Sequence, residues 1–237
     1  MLRIAAVCLP LQLFRNSYCE GNERFRALRS DNPSQRKTIH FVRHAEGYHN
    51  VAGRKDPIMG YLSEDLEDAT LTAEGLEQCK RLHVGSEQKV ARSQLIVVSP
   101  LNRTMQTATH CFPQLIDKVP WVAVECLRER TGLHPCDRRK SITEHKDTFT
   151  HIDFSAIVED EDPLFWKYRL REPTSDVTAR ARQFMLWLKN RPESEIIVVS
   201  HHGYLLNLFG NVILTANPDK DYDDFKNCEL RTFIVHF

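Results

Sequence analysis

The chain has 237 residues, 41% hydrophobic and 27% charged, the balance of an ordinary globular protein with room for a sizeable core. Its 32 basic and 32 acidic side chains cancel to a formal net charge of +0, so no global field directs it to nucleic acid or to an anionic membrane. No apolar run approaches the roughly 20 residues of a membrane-spanning helix, and any preference for anions must be local.

Residues 1–19 carry Arg3 and Arg15, no acidic residue, and an apolar stretch from Ile4 to Phe14 broken by Pro10 and Gln12. They read either as a tail or as an N-terminal presequence of mitochondrial type, although Glu20 and Glu23 soon follow. Localisation follows the same fork: cytoplasmic, or mitochondrial if the segment is a presequence. The turn-prone Asp31-Asn32-Pro33-Ser34 marks the expected junction between a tail over 1–35 and one domain over 36–237. The seven cysteines, at positions 8, 19, 79, 111, 126, 136 and 228, are odd in number and form no C-x-x-C pair. They read as reduced, mostly buried thiols rather than as a disulfide framework or a zinc knuckle.

From Thr38 onward, short apolar runs alternate with longer stretches of helical pattern. Thr38–Val42 is the first expected strand. Thr72 fits a helix N-cap, with Glu74 in the first turn and Leu71 and Leu76 placed as a hydrophobic staple. Leu95–Val98 and Trp121–Val124 are further strands, brief and rich in Val and Ile. The stretch 130–172 is long, polar and poorly periodic, which predicts an insertion with its own helices and a candidate lid. Val177, Ala181, Phe184 and Leu188 recur at helical spacing over Thr174–Asn190, a helix that stops at Arg191-Pro192. Glu195–Val199 is a buried strand, and Glu229–Phe237 alternates enough to be a closing edge strand. Near-continuous apolar strands alternating with helices predict a three-layer α/β/α fold with a mostly parallel central sheet. No internal repeat or low-complexity tract interrupts it.

The ends of the strands carry the chemistry. Arg43-His44-Ala45-Glu46-Gly47 follows the first, with Asn50 beyond. Ser99-Pro100-Leu101-Asn102-Arg103 follows the second, Glu125-Cys126-Leu127-Arg128-Glu129 the third, and Ser200-His201-His202-Gly203 the last. Open parallel sheets bind ligands at the carboxyl ends of their strands, so four polar sets there point to one crevice. Arg43 and Arg103 offer fork-shaped donors matched to phosphate oxygens. Flanking arginines disfavour protonation of His44, leaving a neutral imidazole able to attack phosphorus. His201 is suited to donate to a phosphate oxygen, and Glu129 to protonate the leaving oxygen and then activate water. Asn50 is a candidate substrate contact, or with Glu46 a shaper of the loop.

These residues resemble the histidine phosphatase superfamily, also called phosphoglycerate mutase-like, over nearly all of 38–237. Arg43-His44 with Glu46 and Asn50 is similar to its signature R-H-G-(E/Q)-x-x-x-N, with Ala45 in place of the usual glycine. Leu71 to Gln78 resembles its L-T-x-x-G-x-x-Q helix start, and Ser99 to Ala108 its S-x-x-x-R-x-x-Q-T-A element. Leu127-Arg128-Glu129 resembles the segment carrying the proton donor, and Ser200-His201-His202-Gly203 the (S/T)-H-x-G element, with His202 at the variable position. The resemblance implies a phosphorylated His44, a phosphate pocket of Arg43, Arg103 and His201, and Glu129 as the acid. The cofactor-dependent mutases of the superfamily carry tryptophan soon after the first motif; Tyr48–Glu64 has none, which favours a phosphatase over a mutase.

The expectation is a metal-independent phosphomonoesterase for small phosphorylated substrates, with no cofactor and no nucleic-acid or membrane partner; oligomeric state is left open. Its rivals are phosphoglycerate mutase-type transfer on the same apparatus and a non-catalytic phosphate-binding scaffold. His44, His49, His201 and His202 raise the question of a metal, but a cation among Arg43 and Arg103 would meet two fixed positive charges. Arg138-Arg139-Lys140, with Arg169 and Arg171, reads either as an extension of the pocket or as solvated surface, and Phe165 and Trp166 as packing of the lid onto the body.

Overall fold

The computed structural model describes residues 25–27, 36–164, 167, 170–215 and 224–237. Residues 1–24 and the Asp31–Ser34 junction lie outside them, as do Phe165, Trp166 and Arg169. Among the described residues seven strands form one sheet: β1 Phe25–Ala27, β2 Arg36–Arg43, β3 Leu95–Val98, β4 Trp121–Ala123, β5 Glu195–Ser200, β6 Ile213–Thr215 and β7 Leu230–His236. Their spatial order is β4-β3-β5-β2-β7-β1-β6. All pairings are parallel except the two made by β7.

Among the described residues six α-helices accompany the sheet: α1 Tyr48–Lys55, α2 Ala73–Val90, α3 Asn102–Cys111, α4 Ile142–Thr148, α5 Thr174–Lys189 and α6 His202–Asn211. Strands buried on both faces are apolar along their interior, as β3 and the Ile196–Val199 stretch of β5 are, and alternate residues go to opposite layers. Leu95, Val97, Ile196 and Val198 join Phe184, Met185 and Leu208 of α5 and α6 on one face. Ile96, Val98, Ile197 and Val199 join Cys79, Met105 and Cys111 of α2 and α3 on the other. The three-layer expectation is met. No helix among the described residues is long and apolar enough to cross a membrane.

Two expectations need correction. Phe25–Ala27 falls within the stretch read as tail, yet it pairs with β6 in parallel and with β7. Consequently β7 is an interior strand and not the closing edge: it lies antiparallel between β2 and β1, with Ile39 opposite Phe233. Its alternation has another cause. Val235 is fully buried while Ile234 is 53% exposed, so one face of β7 is covered and the other is open.

The insertion over 130–172 contributes α4 and a short turn of helix at Pro135–Asp137, and it is tied to the body by buried ion pairs. Arg139, read as pocket extension or solvated surface, does neither: it is buried and donates to Glu125 Oε1 (2.5 Å) and to the carbonyls of Lys140, Glu159, Asp160 and Glu161. Arg128, also buried, pairs with Asp162 and Glu125 and donates to the Asp137 carbonyl. Arg138 pairs at the surface with Glu64 and Glu67. Among the described cysteines, 79, 111, 136 and 228 are buried and 126 half-buried, all as free thiols. We expect Arg139→Met to lower unfolding stability by about 3–5 kcal/mol, because four carbonyls and a carboxylate lose a buried cation. Urea denaturation followed by circular dichroism measures it, and a loss below about 1 kcal/mol contradicts the clamp.

Candidate active site

The loop after β2 is built by hydrogen bonds from distant elements. The N–H of His44 donates to Ser200 O (2.9 Å), that of Ala45 to Thr107 Oγ1 (2.9 Å), that of Glu46 to Gln78 Oε1 (2.9 Å) and that of Gly47 to Asn50 Oδ1 (3.0 Å). Thr72 caps α2 by accepting from the Gly75 N–H (3.0 Å) and donates its own hydroxyl to Glu46 Oε1 (2.7 Å). Gly75 lets α2 approach this closely, since a Cβ there would sit 2.2 Å from Glu46 O. Gln106 Oε1 accepts the N–H of Leu71 (2.9 Å), joining α3 to the start of α2.

This loop opens onto a pocket of about 270 Å³ whose wall includes Arg43, His44, His49, Asn50, Arg103 and Glu129. His44 is 2% exposed, and its Nδ1–H donates to Ala45 O (2.7 Å). That bond sets the tautomer, leaving Nε2 unprotonated with its lone pair available. Burial, then Arg103, His49 and Arg43, hold His44 well below the ordinary imidazole range. Arg43 donates Nη1–H to Phe225 O (2.6 Å), while its buried Nε has no hydrogen-bond partner among the described residues.

Arg103 lies under the pocket, 1% exposed. Its Nη2 pairs with Asp137 Oδ1 (2.8 Å), its Nη1 donates to Cys136 O (2.5 Å), and its Nε–H donates to His201 Nδ1 (3.2 Å). His201 is thereby a fixed tautomer, with Nε2–H donating to Ser99 Oγ (2.7 Å). Burial and then Arg103 keep His201 well below the usual imidazole range. The sequence suggested that His201 donates to a phosphate oxygen; here both its ring nitrogens are engaged and it orients Arg103, its ring centroid 5.2 Å from that of His44.

Glu129 is on the pocket wall, at the start of α6. Oε1 accepts the N–H groups of Arg130 (2.8 Å) and Tyr204 (3.1 Å), and Oε2 that of Gly203 (3.0 Å). A Cβ on Gly203 would meet Glu129 Oε1 at 2.6 Å, which explains the glycine in this motif. Arg180 holds the same strand end by donating to the carbonyls of Cys126, Arg128 and Glu129. Asn50 lines the pocket while its Oδ1 caps α1, so it contributes to loop shape whatever else it contacts. Glu46, bound to Thr72 and Arg54, is a loop brace.

The insertion supplies the far wall through residues that pattern reading missed. Asp137 bridges Arg103 and Arg171, the latter at 2.7 Å, and these two cations outweigh burial to hold its carboxyl below the usual range. His134 stacks on Tyr61 with centroids 5.1 Å apart. Both, with Arg171, line the pocket, which realises the pocket-extending reading for Arg171. His49, buried against His44 at 5.3 Å, sat inside the first motif, where that placement was the available signal. Asp137 and His134 carried none, because irregular chain has no periodicity to read.

The chain is 40% identical over 230 residues to a phosphoglycerate mutase-like protein of Arabidopsis thaliana, covering 84% of each. The fold is shared with the alpha-ribazole phosphatase from Shigella flexneri (TM-score 0.55, 19% identity, 84% of this chain and 94% of that one). It is shared as well with mycobacterial glucosyl-3-phosphoglycerate phosphatase in complex with VO3 (TM-score 0.52, 20% identity, 83% and 92%). The sequence pattern of the histidine phosphatase superfamily (branch 1) matches residues 39–235, and with its motifs converging on one pocket the chain belongs to that superfamily.

Proposed function

We infer that this protein is a phosphomonoesterase for small soluble phosphate esters, working without a metal through a phosphohistidine on His44. One observation carries the reading: a buried neutral imidazole, its Nδ1 committed to Ala45 O, offers Nε2 in a pocket walled by two guanidinium groups. Attack by that lone pair on phosphorus forms the N–P bond as the ester P–O bond breaks, and Glu129 delivers a proton to the departing oxygen. Water then displaces the imidazole, with Glu129 taking the proton back. Arg43 and Arg103 hold the equatorial oxygens and offset their charge. The pocket, about 270 Å³, is near the lower bound of ligand clefts (about 300 Å³), which suits a metabolite. Hydrolysis is favoured over mutase-type transfer because no tryptophan occurs in Tyr48–Glu64.

We expect His44→Ala to lower phosphate release from an aryl phosphate at least about a thousandfold while the circular dichroism spectrum is unchanged. Wild-type activity should persist in excess chelator. Full turnover by the purified variant eliminates the nucleophile assignment, and phosphate transfer to an acceptor in place of release would move the protein to the mutase reading.

Glu129→Gln should slow esters with poor leaving groups at least about a hundredfold, and activated aryl esters far less. Gly203→Ala should do the same with little change in melting temperature, because the new Cβ displaces the Glu129 carboxyl and not the backbone. Equal slowing of both ester classes removes Glu129 from proton transfer.

In the folded protein the His44 ring should remain neutral, protonated on Nδ1, as pH falls through 6.5, since its proton affinity is lowered by burial and by Arg103. Nitrogen NMR of labelled histidines reads this directly, and a His44 ring that titrates at or above 6.5 contradicts it. The unfolded chain protonates near pH 6.5 while buried His44, His49 and His201 do not, so stability falls as pH drops below that value.

A further inference from the structure

Away from the pocket, three cysteines converge from separate elements. Cys79 lies in α2, Cys111 ends α3, and Cys228 occupies a left-handed turn before β7, with φ of 59°. Their Sγ atoms all lie within 4.8 Å of one another, and Cys111 Sγ is 3.7 Å from Cys228 Sγ. All three are buried, at 0%, 0% and 8% exposure, within the apolar layer between the sheet and α2–α3. No imidazole or carboxylate among the described residues joins the group.

Three packed small hydrophobes would account for burial, but not for three sulfurs gathered at metal-ligand spacing. A metal about 2.3 Å from each of three sulfurs holds them about 3.7–4.0 Å apart, so ligation asks for at most about 1 Å of closure from the observed arrangement. A disulfide needs sulfurs at about 2.05 Å and would leave the third thiol unused. All-thiolate donors select soft ions such as copper(I) and zinc. Zinc takes four ligands in closed sites, and the group provides three. Copper(I) is satisfied by three sulfurs.

We propose that Cys79, Cys111 and Cys228 form a three-thiolate site for copper(I). Each thiol that ligates gives up its S–H proton to solvent; no electron is transferred. The site is structural in consequence. The Cys228 N–H donates to the carbonyls of Arg43 and His44, α2 carries Gln78, and α3 carries Arg103 and Thr107. Ligation would therefore staple together the three elements that hold the His44 loop, and it stands independently of the activity assigned to that loop.

The test uses the full chain, reduced and anaerobic, titrated against copper(I) held by a chromophoric chelator. One equivalent should pass to the protein with a thiolate-to-copper charge-transfer band, and X-ray absorption should show three sulfur neighbours and no nitrogen or oxygen. Cys79→Ser and Cys111→Ala should each weaken retention at least about tenfold, while Cys126→Ser should leave it unchanged. Zinc(II) offered alone should bind at least about tenfold more weakly than copper(I). Failure of wild-type protein to take the first equivalent, a sulfur count of two, retention unaffected by both core variants, or displacement of copper by zinc each overturns the proposal. The wild-type measurements decide the matter even if a variant fails to fold.

Discussion

Five consecutive backbone N–H groups at the end of β2 govern the architecture of this protein. Arg43, His44, Ala45, Glu46 and Gly47 leave the sheet in an irregular path and must each find an acceptor out of water. A buried N–H without one costs roughly 1–3 kcal/mol. The acceptors come from Glu229, Ser200, Thr107, Gln78 and Asn50, so the turn before β7, the end of β5, both helices of one layer and α1 are drawn to one point. Motif residues outside the pocket wall thereby acquire a reason: Thr72, Gly75, Gln78, Gln106 and Thr107 are the mould in which the His44 loop is cast.

Charge is managed in two populations of arginine. Arg128, Arg139 and Arg180 are held by carboxylates and carbonyls and serve as rivets for irregular chain. Arg43 and Arg103 surround three neutral imidazoles, His44, His49 and His201, whose protonation they oppose. This mutual repulsion is useful only if something anionic enters. Asp137 partly neutralises Arg103 and Arg171 in the meantime, so the pocket is positive without being unsustainable. The second arginine is thus positioned from both sides, by His201 at Nε and by Asp137 at Nη2.

The insertion shows how context reverses a local reading. Arg138, Arg139 and Lys140 are adjacent and alike in sequence, yet Arg139 is buried among five acceptors while Arg138 pairs with two surface glutamates. Nothing in a run of three cations tells which one turns inward; that depends on where Glu125 and the carbonyls of 159–161 lie. The alternation of β7 resembles that of an edge strand for a similar reason. Period-two patterning reports which faces are covered and is silent about what lies beside the strand.

Elements with strong periodicity, and side chains directly following buried strands, were legible from the amino acids alone. β3 and β5 had to be central because nothing else accommodates unbroken Val and Ile runs, and His44, Arg43, Arg103 and Glu129 had to meet because parallel strands deliver their carboxyl ends to one side. What needed the folded chain was every relation set by side-chain direction and by irregular segments. That His201 backs Arg103, that Asp137 and His134 close the pocket, and that Cys79, Cys111 and Cys228 touch are facts of packing between layers. Such contacts carry no spacing rule, since the chain between them is free to be of any length, and only the closed core decides them.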